Sequence, residues 1–588
     1  PLETEFKSIS DMVELRSTSR SGLSVITIVF KDNVPVNIAR QRVDEKIKTA
    51  VDNIPKQYGT PELLPPTTGL GEIFQYALVP QKGYEAKYNL TELRTIQDWI
   101  VRRQLLGTIG VVDVSSFGGK LKQYEVSVKP ERLAANNLTL IDVFDALQNN
   151  NENTGGSYID KGPNIYFIRG EGLIQNLDDI NSIVVKNNSG VPILIKDIAD
   201  VKFGFAPRYG AMTRNGKGET VGGIVLMQKG ENAVSVIARV KDRIKSIQKG
   251  LPQGVKIDVF VDRTKLIDKT VSTVSTNLFE GALIVILVLV LFLGSLRAGL
   301  IVASVIPLAM LFAIIIMNMF GLSANLMSMG ALDFGLIVDG AVIVVEATLH
   351  IFSKQYKSTI LSQGQMDNEV IRSSSKIMSS AIFGQIIILI VYIPLFVLSG
   401  VEGKMFMPMA QTVSFAIIGA LLLSLTYVPW ASSLFLSKKI SNKPNFTDRF
   451  INKLNQWYHP LLTLALARKF AVIGVAVFLF VSSLFIFNSL GGEFIPELDE
   501  GDFAMNYTIR QGSSLSQSIE VGTQLEKLAL TFPEVKEVVS KIGSSEIPTD
   551  PMPIESADLI IVMKDKKEWT TADNKEELAE KMNEKLST

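Results

Sequence analysis

Between Met327 and Phe352 an apolar run containing GALDFGLIVDGAVIVVEA carries three carboxylates, Asp333, Asp339 and Glu346. A helix needs roughly 20 apolar residues to cross the hydrocarbon core, and this run is long enough to do so. An ionised acid near the middle of such a span costs on the order of 3 kcal/mol or more unless it is hydrated or paired. The alternative is a core helix with satisfied acids in a soluble protein, and the apolar runs of spanning length on either side argue against it. Acids inside a membrane bundle most often relay protons or coordinate ions, so proton or cation movement is the first functional expectation. On a helix, Asp339 and Glu346 fall on one face about 10 Å apart, and Asp333 is turned by ~120° from Asp339. Gly330, Ala331, Gly335, Gly340 and Ala341 lack bulk, so neighbouring helices can approach closely.

Composition narrows the chemistry. The net charge is zero, which provides no basic field for nucleic acid. Cysteine is absent and the only histidines are His350 and His459. Thiolate sites and histidine-rich cages are therefore excluded, and any metal must meet methionine, carboxylate or carbonyl ligands. No nucleotide-binding glycine motif or nucleophile–base pair is present; Gly69-Leu-Gly71 is too short for a phosphate loop. The chain starts at Pro1 and ends in a helical pattern, which reads as a piece of something longer.

Residues 1 to about 275 contain no spanning run and read as an α+β region. Leu23–Phe30 predicts a strand and Val36–Val51 an amphipathic helix, followed by a break at Pro55. The same order returns at Val221–Met227, Ala233–Ile247 and Val255–Val261, and again at Phe503–Arg510, Leu515–Leu530 and Val535–Val539. Repetition of this kind predicts ferredoxin-like βαβ subdomains on one architecture. Between the first two copies, Thr91–Leu106 and Leu138–Gln148 read as helices, Tyr124–Val128 as a strand and Asn149–Gly156 as a loop; residues 124–205 read as an insertion.

Six apolar runs follow: Leu278–Leu296, Leu300–Phe320, Met327–Phe352, Ile377–Leu398, Ala410–Leu436 and Phe470–Leu490. The basic residues lie after the first, third and fifth: Arg297; Lys354, Lys357, Arg372 and Lys376; and Lys438, Lys439, Lys443, Arg449, Lys453, Arg468 and Lys469. The positive-inside rule places those loops in the cytoplasm and residues 1–275 and 491–588 outside. Phe446–Leu466, with Trp457, Tyr458 and a basic side, reads either as a helix on the cytoplasmic membrane surface or as a short soluble linker helix.

The stretches RSTSRSGLSVITIVF, TTGLGEIFQYAL, DFGLIVDGAVIVVE, VEGKMFMPMA and GGEFIPELDEGD, spread over nearly the whole chain, resemble the heavy-metal efflux group of the resistance-nodulation-division (RND) superfamily. That resemblance implies an α-helical membrane bundle with α+β periplasmic porter subdomains, in a secondary proton/cation antiporter of the bacterial inner membrane that needs no cofactor. It implies a homotrimer working with a periplasmic adaptor and an outer-membrane channel. By the same likeness, residues 1–70 are the first porter subdomain and 71–123 with 206–265 the second; 124–205 belong to the docking domain and 491–588 to the third porter subdomain. The chain would begin inside the first porter subdomain and end inside the third. Asp333, Asp339 and Glu346 take the positions of proton-relay residues, although the family's asparagine after the glutamate is Ala347 here.

For the metal, the copper and silver branch uses methionine thioethers, and two of those positions are Asn506 and Ser556 here, with Met505 beside the first. Asp333 and the TDPMP stretch, Thr549–Pro553, look more like the cobalt-zinc-cadmium branch. Candidate ligands are therefore Asn506, Met505, Asp502 and Glu555, with divalent zinc, cobalt or cadmium favoured over copper or silver. Met405, Met407 and Met409 read as packing at a helix end. Two other readings fit less well. An RND exporter of drugs or other amphiphiles usually has adjacent acids, whereas these are spaced by six and seven residues, and a non-transporting receptor would need no intramembrane acids.

Overall fold

The computed structural model describes residues 1–20, 22–55, 59–68, 71–188, 190–322, 334–355, 361–438, 446–489 and 501–587. Asp333, Gly330 and Ala331, the pair Gly69 and Leu70, and the loop lysines Lys357, Lys439 and Lys443 lie outside the described residues. The chain divides into two compact units: Pro1–Leu266 with Asp499–Thr588, and Ile267–Leu498.

Among the described residues of the first unit, eight strands share one sheet: β1 (Glu72–Pro80), β2 (Val111–Gly118), β3 (Gly210–Arg214), β4 (Glu219–Met227), β5 (Val255–Asp262), β6 (Phe503–Thr508), β7 (Val535–Gly543) and β8 (Ser556–Met563). The order is β5-β1-β4-β3-β7-β8-β6, with β2 also paired to β4. The helix Ala233–Gly250 connects β4 to β5, and both strands run antiparallel to β1, which lies between them. The helix Leu515–Ala529 connects β6 to β7, and both run antiparallel to β8 between them. Two split strand–helix–strand units therefore sit in one sheet, and they meet where β3 pairs with β7 from Gly210 opposite Gly543 to Arg214 opposite Val539.

Glu526 fastens that meeting point. It stands on the helix Leu515–Ala529, is fully buried, and accepts hydrogen bonds from Thr213 Oγ1 (2.5 Å), the Gly216 backbone N–H (2.7 Å) and Ser540 Oγ (2.7 Å). One carboxylate thus ties the helix to β3, to the turn after it and to β7. Burial pushes this carboxyl up, against the pull of those donors.

Two smaller bodies complete the unit. The hairpin Met12–Arg20 with Leu23–Phe30 packs with the helix Val36–Val51 around Phe6, Ile9 and Val43. The insertion leaves and returns through the antiparallel pair Lys122–Val128 and Ala199–Phe205, and has its own core of Leu133, Val143, Ile180, Ile195 and Ile198. Its helix starts at Leu140, not Leu138, because Thr139 caps it in a reciprocal box with Asp142. The expected loop Asn149–Gly156 ends early. A strand begins at Thr154 and pairs with Gly170, forming a hairpin that supplies the backbone partners a loop lacks.

The second unit is helical: α1 (Arg263–Leu293), α2 (Leu296–Met319), α3 (Phe334–Gln355), α4 (Gln363–Tyr392), α5 (Gly400–Leu425), α6 (Tyr427–Phe435), α7 (Phe446–Ala467) and α8 (Lys469–Ser489). Six helices among the described residues are long and apolar enough to cross a membrane. The core joins Val302 and Ala309 of α2, Ile337, Ala341 and Val344 of α3, Ala416 and Ala420 of α5 and Val428 of α6. Three spans differ from expectation. The first belongs to a helix that starts at Arg263, fifteen residues before Leu278, and ends at Leu293, with Leu296 opening the next helix. The fourth starts at Gln363, fourteen residues before Ile377, because Ser362 caps it with Gln365 and its first turns are polar. The fifth is not continuous to Leu436: α5 ends at Leu425 and α6 starts anew after Thr426. Pro429 has no N–H for the Leu425 carbonyl and its ring would press on it, so the helix breaks there. Pro408, inside α5, is accommodated.

Buried Glu534 generates a prediction for the first unit. Burial alone would raise its carboxyl. The backbone N–H groups of Thr570 (2.9 Å) and Thr571 (2.6 Å) outweigh burial and hold it at about 2 against the usual 4.5. A depressed carboxyl contributes stability above its unfolded pKa, and that contribution is lost as pH falls from there toward the folded value. The expected contribution is on the order of 3 kcal/mol. Glu534→Ala should lower the unfolding midpoint of this unit at neutral pH and flatten its loss of stability between pH ~4.5 and ~2. Denaturant melts at several pH values check this, and an unchanged pH profile contradicts it.

Candidate functional site

The acid-bearing helix α3 is divided cleanly by burial. At ~100° per residue, its buried positions Phe334, Ile337, Val338, Gly340, Ala341, Val344, Val345, Ala347, Thr348 and Phe352 fill about half of the circumference. The exposed positions are Gly335, Asp339, Glu346 and His350. Taking Asp339 as zero, Glu346 falls at about −20° and His350 at about +20°, while Thr348 falls at about 180°. Within Phe334–Phe352, no exposed side chain is large and apolar. Other helices of this unit expose Phe279, Leu283 and Leu287 on α1, Phe383, Ile387 and Val391 on α4, and Phe478 and Phe485 on α8. The outer stripe of α3 is thus chemically unlike the lipid-compatible surfaces around it.

Two contacts fix the rotation that points the acids outward. Thr348 Oγ1 and Ser373 Oγ of α4 hydrogen-bond at 2.8 Å in the core, and Thr348 also donates to the Val344 carbonyl (2.8 Å). Gly340 faces the Gln385 amide of α4 and Ser424 of α5, where a Cβ would lie 2.6 Å from Gln385 Nε2 and 2.9 Å from Ser424 Oγ. A side chain there would oblige the Gln385 amide and the Ser424 hydroxyl to shift. Asp339 and Glu346 share one face, as their spacing predicts.

The candidate metal ligands are distributed differently. Along β6 burial alternates, so Met505 packs with Phe503 and Tyr507 into the core beneath the sheet, and Asn506 is exposed on the opposite face. The two neighbours in sequence therefore face different environments. Asp502 Oδ1 accepts the Met563 backbone N–H (2.8 Å), and the Glu555 carbonyl accepts the Ile509 N–H (2.9 Å). Among the described residues no three His, Asp or Glu side chains form a group able to hold a metal ion.

Asn506 lies instead beside a residue that sequence reasoning did not single out. Its cross-strand partner is Asp558 on β8, which in turn pairs with Lys541 on β7. Lys541 Nζ is 3.7 Å from Asp558 Oδ2 and 3.9 Å from Glu72 Oε2, while Glu72 Oε1 accepts from Thr549 Oγ1 (2.6 Å). Two residues along, where Thr508 pairs with Ser556, Thr508 Oγ1 and Ser556 Oγ are 3.0 Å apart. Burial pushes the Asp558 carboxyl above the usual range; Lys541 draws it back, and Asp550 and Glu72 add to the rise. The patch is built of oxygen, amide and amine groups with no thioether. The period-two alternation from Asn506 through Thr508 was the signal available in the sequence; the pairing with Asp558, about fifty residues on, was not.

A family model described as the AcrB/AcrD/AcrF family matches residues 1–588. The cobalt-zinc-cadmium resistance protein CzcA of Cupriavidus metallidurans (strain ATCC 43123 / DSM 2839 / NBRC 102507 / CH34) is 43% identical over 576 residues, which cover 97% of this chain and 54% of that protein. The nickel-cobalt-cadmium resistance protein NccA of Alcaligenes xylosoxydans xylosoxydans is 37% identical over 618 residues, covering 100% of this chain and 57% of that protein. A crystal structure of a heavy metal efflux pump superposes with a TM-score of 0.86 at 34% identity, covering 100% of this chain and 56% of that one. The chain thus spans about half the length of the curated relatives it matches. With the family model matched from first residue to last and the fold shared with a solved pump, the chain belongs to the AcrB/AcrD/AcrF family, within the resistance-nodulation-division superfamily that its motifs resemble.

Proposed function

We propose that the whole protein exports divalent metal cations from a bacterial inner membrane by proton antiport, with Asp339, Glu346 and Asp333 as the proton relay. The observation that carries this reading is the outer stripe of α3, where two carboxylates stand on an exposed face that shows no large apolar side chain. A lipid-facing carboxylate is too costly to leave uncovered, so that face is one for a protein partner or a hydrated path. Protonation neutralises the acids and removes their mutual repulsion, which lets α3 shift against the helix or water that covers the stripe. That shift is the step that moves the outward domains. Orientation follows from the basic loops: residues 1–275 and 491–588 are periplasmic, and α7, with its basic residues and exposed Trp457 and Tyr458, lies on the cytoplasmic membrane surface.

The two split strand–helix–strand units are read as ferredoxin-like second and third porter subdomains, residues 71–123 with 206–265 and residues 491–588. Residues 1–70 are read as the first porter subdomain, and 124–205 as a docking insertion. A homotrimer, a periplasmic adaptor and an outer-membrane channel complete the working assembly, as the family likeness implies. For the metal, the patch around Asn506 is the reading preferred here, with Asp558 added to Asn506, Asp502 and Glu555, and with Met505 left to the core. Oxygen and amide donors suit zinc, cobalt or cadmium better than monovalent copper or silver. Names of two relatives point the same way, being those of cobalt-zinc-cadmium and nickel-cobalt-cadmium resistance proteins.

Two outcomes test these assignments. Asp339→Asn in the complete transporter should abolish metal resistance at unchanged protein level and trimer yield, and retained resistance overturns the relay. Asp558→Asn should weaken zinc binding about tenfold, the scale of one lost charged donor at ~1.4 kcal/mol. Because the raised Asp558 carboxyl holds its proton above the usual aspartate range, zinc binding in the unaltered protein should tighten as pH rises past that range, and the substitution should weaken this dependence. Calorimetric titrations at several pH values read both effects. Silver or copper bound more tightly than zinc would reverse the choice of metal.

A further inference from the structure

The outer stripe of α3 has a third polar member that the relay above does not use. His350 is exposed, stands four residues after Glu346, and lies within ~40° of both Asp339 and Glu346 around the helix. It is one of only two histidines in the chain, and the other, His459, is on α7. The spacing places the three Cα positions in a line, about 10 Å from Asp339 to Glu346 and about 6 Å from Glu346 to His350. One water molecule can bridge side chains across the second interval. Thr348, two residues earlier, is held to Ser373 of α4 in the core, and it points away from His350 by ~200°. The same contact that turns the acids outward therefore turns the imidazole outward with them.

We infer that His350 is the proton carrier at the exit end of the stripe, taking each proton from Glu346 and delivering it to cytoplasmic water. This rests on the relay and orientation proposed above, by which α3 runs from the periplasmic to the cytoplasmic side and His350 precedes the basic loop at Lys354 and Lys357. The Glu346 carboxylic acid gives its proton to one ring nitrogen, leaving a carboxylate and an imidazolium. The imidazolium then gives the proton on its other ring nitrogen to water, and a neutral imidazole remains. Imidazole has two ring nitrogens, one able to accept a proton while the other donates one, so it can take up and release a proton at each turnover.

The test uses the complete transporter in everted membrane vesicles, whose medium bathes the cytoplasmic face. Zinc-stimulated proton movement out of an acidic lumen is measured with zinc on both sides. In dilute buffer, His350→Ala and His350→Gln should each slow that movement about tenfold, a modest share of what a positioned acid–base group contributes. A concentrated, membrane-impermeant zwitterionic buffer in the medium should restore the rate, because buffer molecules take over proton collection. A packing role would not respond to buffer. Two results overturn the assignment: a wild-type rate for His350→Ala in dilute buffer, or a slowed rate that no buffer concentration restores. Asp339→Asn is run alongside. If it too retains zinc-stimulated proton movement, the relay itself fails, whereas its loss with an unaffected His350→Ala removes only the exit role.

Discussion

A carboxylate on an apolar helix can be tolerated only where something other than lipid meets it, and the second unit is arranged around that constraint. The acids of α3 do not choose their direction by attraction to any partner among the described residues. Their direction is set from behind, by what the opposite face must bury. Thr348 needs a hydrogen-bond partner in a dry core and finds Ser373. At Gly340 the Gln385 amide and the Ser424 hydroxyl come so close that a Cβ would oblige them to shift. With those two anchors in place, helical geometry leaves one orientation, in which Asp339, Glu346 and His350 all face outward.

The first unit depends on a buried carboxylate in a different way. Its two split units could each cover their own sheet, and what makes them continuous is the pairing of the short β3 with β7. A five-residue strand is a weak joint. Glu526 reinforces it from one side, collecting donors from β3, the following turn and β7. Removing such a carboxylate would leave several buried donors without an acceptor, which costs more than the bonds are worth individually. The joint thus resists sliding of one split unit along the other, and any motion of this sheet is expected to carry both.

How much of this was legible in the sequence follows from the range of each interaction. The helices at Val36–Val51 and Ala233–Gly250 and the strands beside them could be read because their periodicity is local. The acid stripe was legible for the same reason, as 3.6-residue geometry relates Asp339 to Glu346 without knowledge of any neighbour. Helix ends were read less well. The polar first turns of α4 carry no apolar signal, and the break at Thr426 hides inside an apolar run whose only mark is Pro429. Contacts between distant segments were not legible at all. Nothing around Asp558 marks it as the partner of Asn506, and nothing in the helix Leu515–Ala529 distinguishes Glu526 from the surface acid Glu520.

The strand β6 shows why the choice of ligand cannot be made from sequence proximity. Met505 and Asn506 are adjacent and chemically opposed, one a soft thioether and the other a hard amide oxygen. A strand sends consecutive side chains to opposite faces, so only one of them can belong to a given site. The core beneath the sheet takes Met505, with Phe503 and Tyr507 on the same side. The other face then keeps Asn506, opposite Asp558 and beside Thr508 and Ser556. A slip of one residue in register would exchange the two and turn an oxygen-lined surface into a sulfur-lined one. Register, held by the pairing of β6 with β8 and by the apolar side that must be buried, is therefore what sets the hardness of this surface.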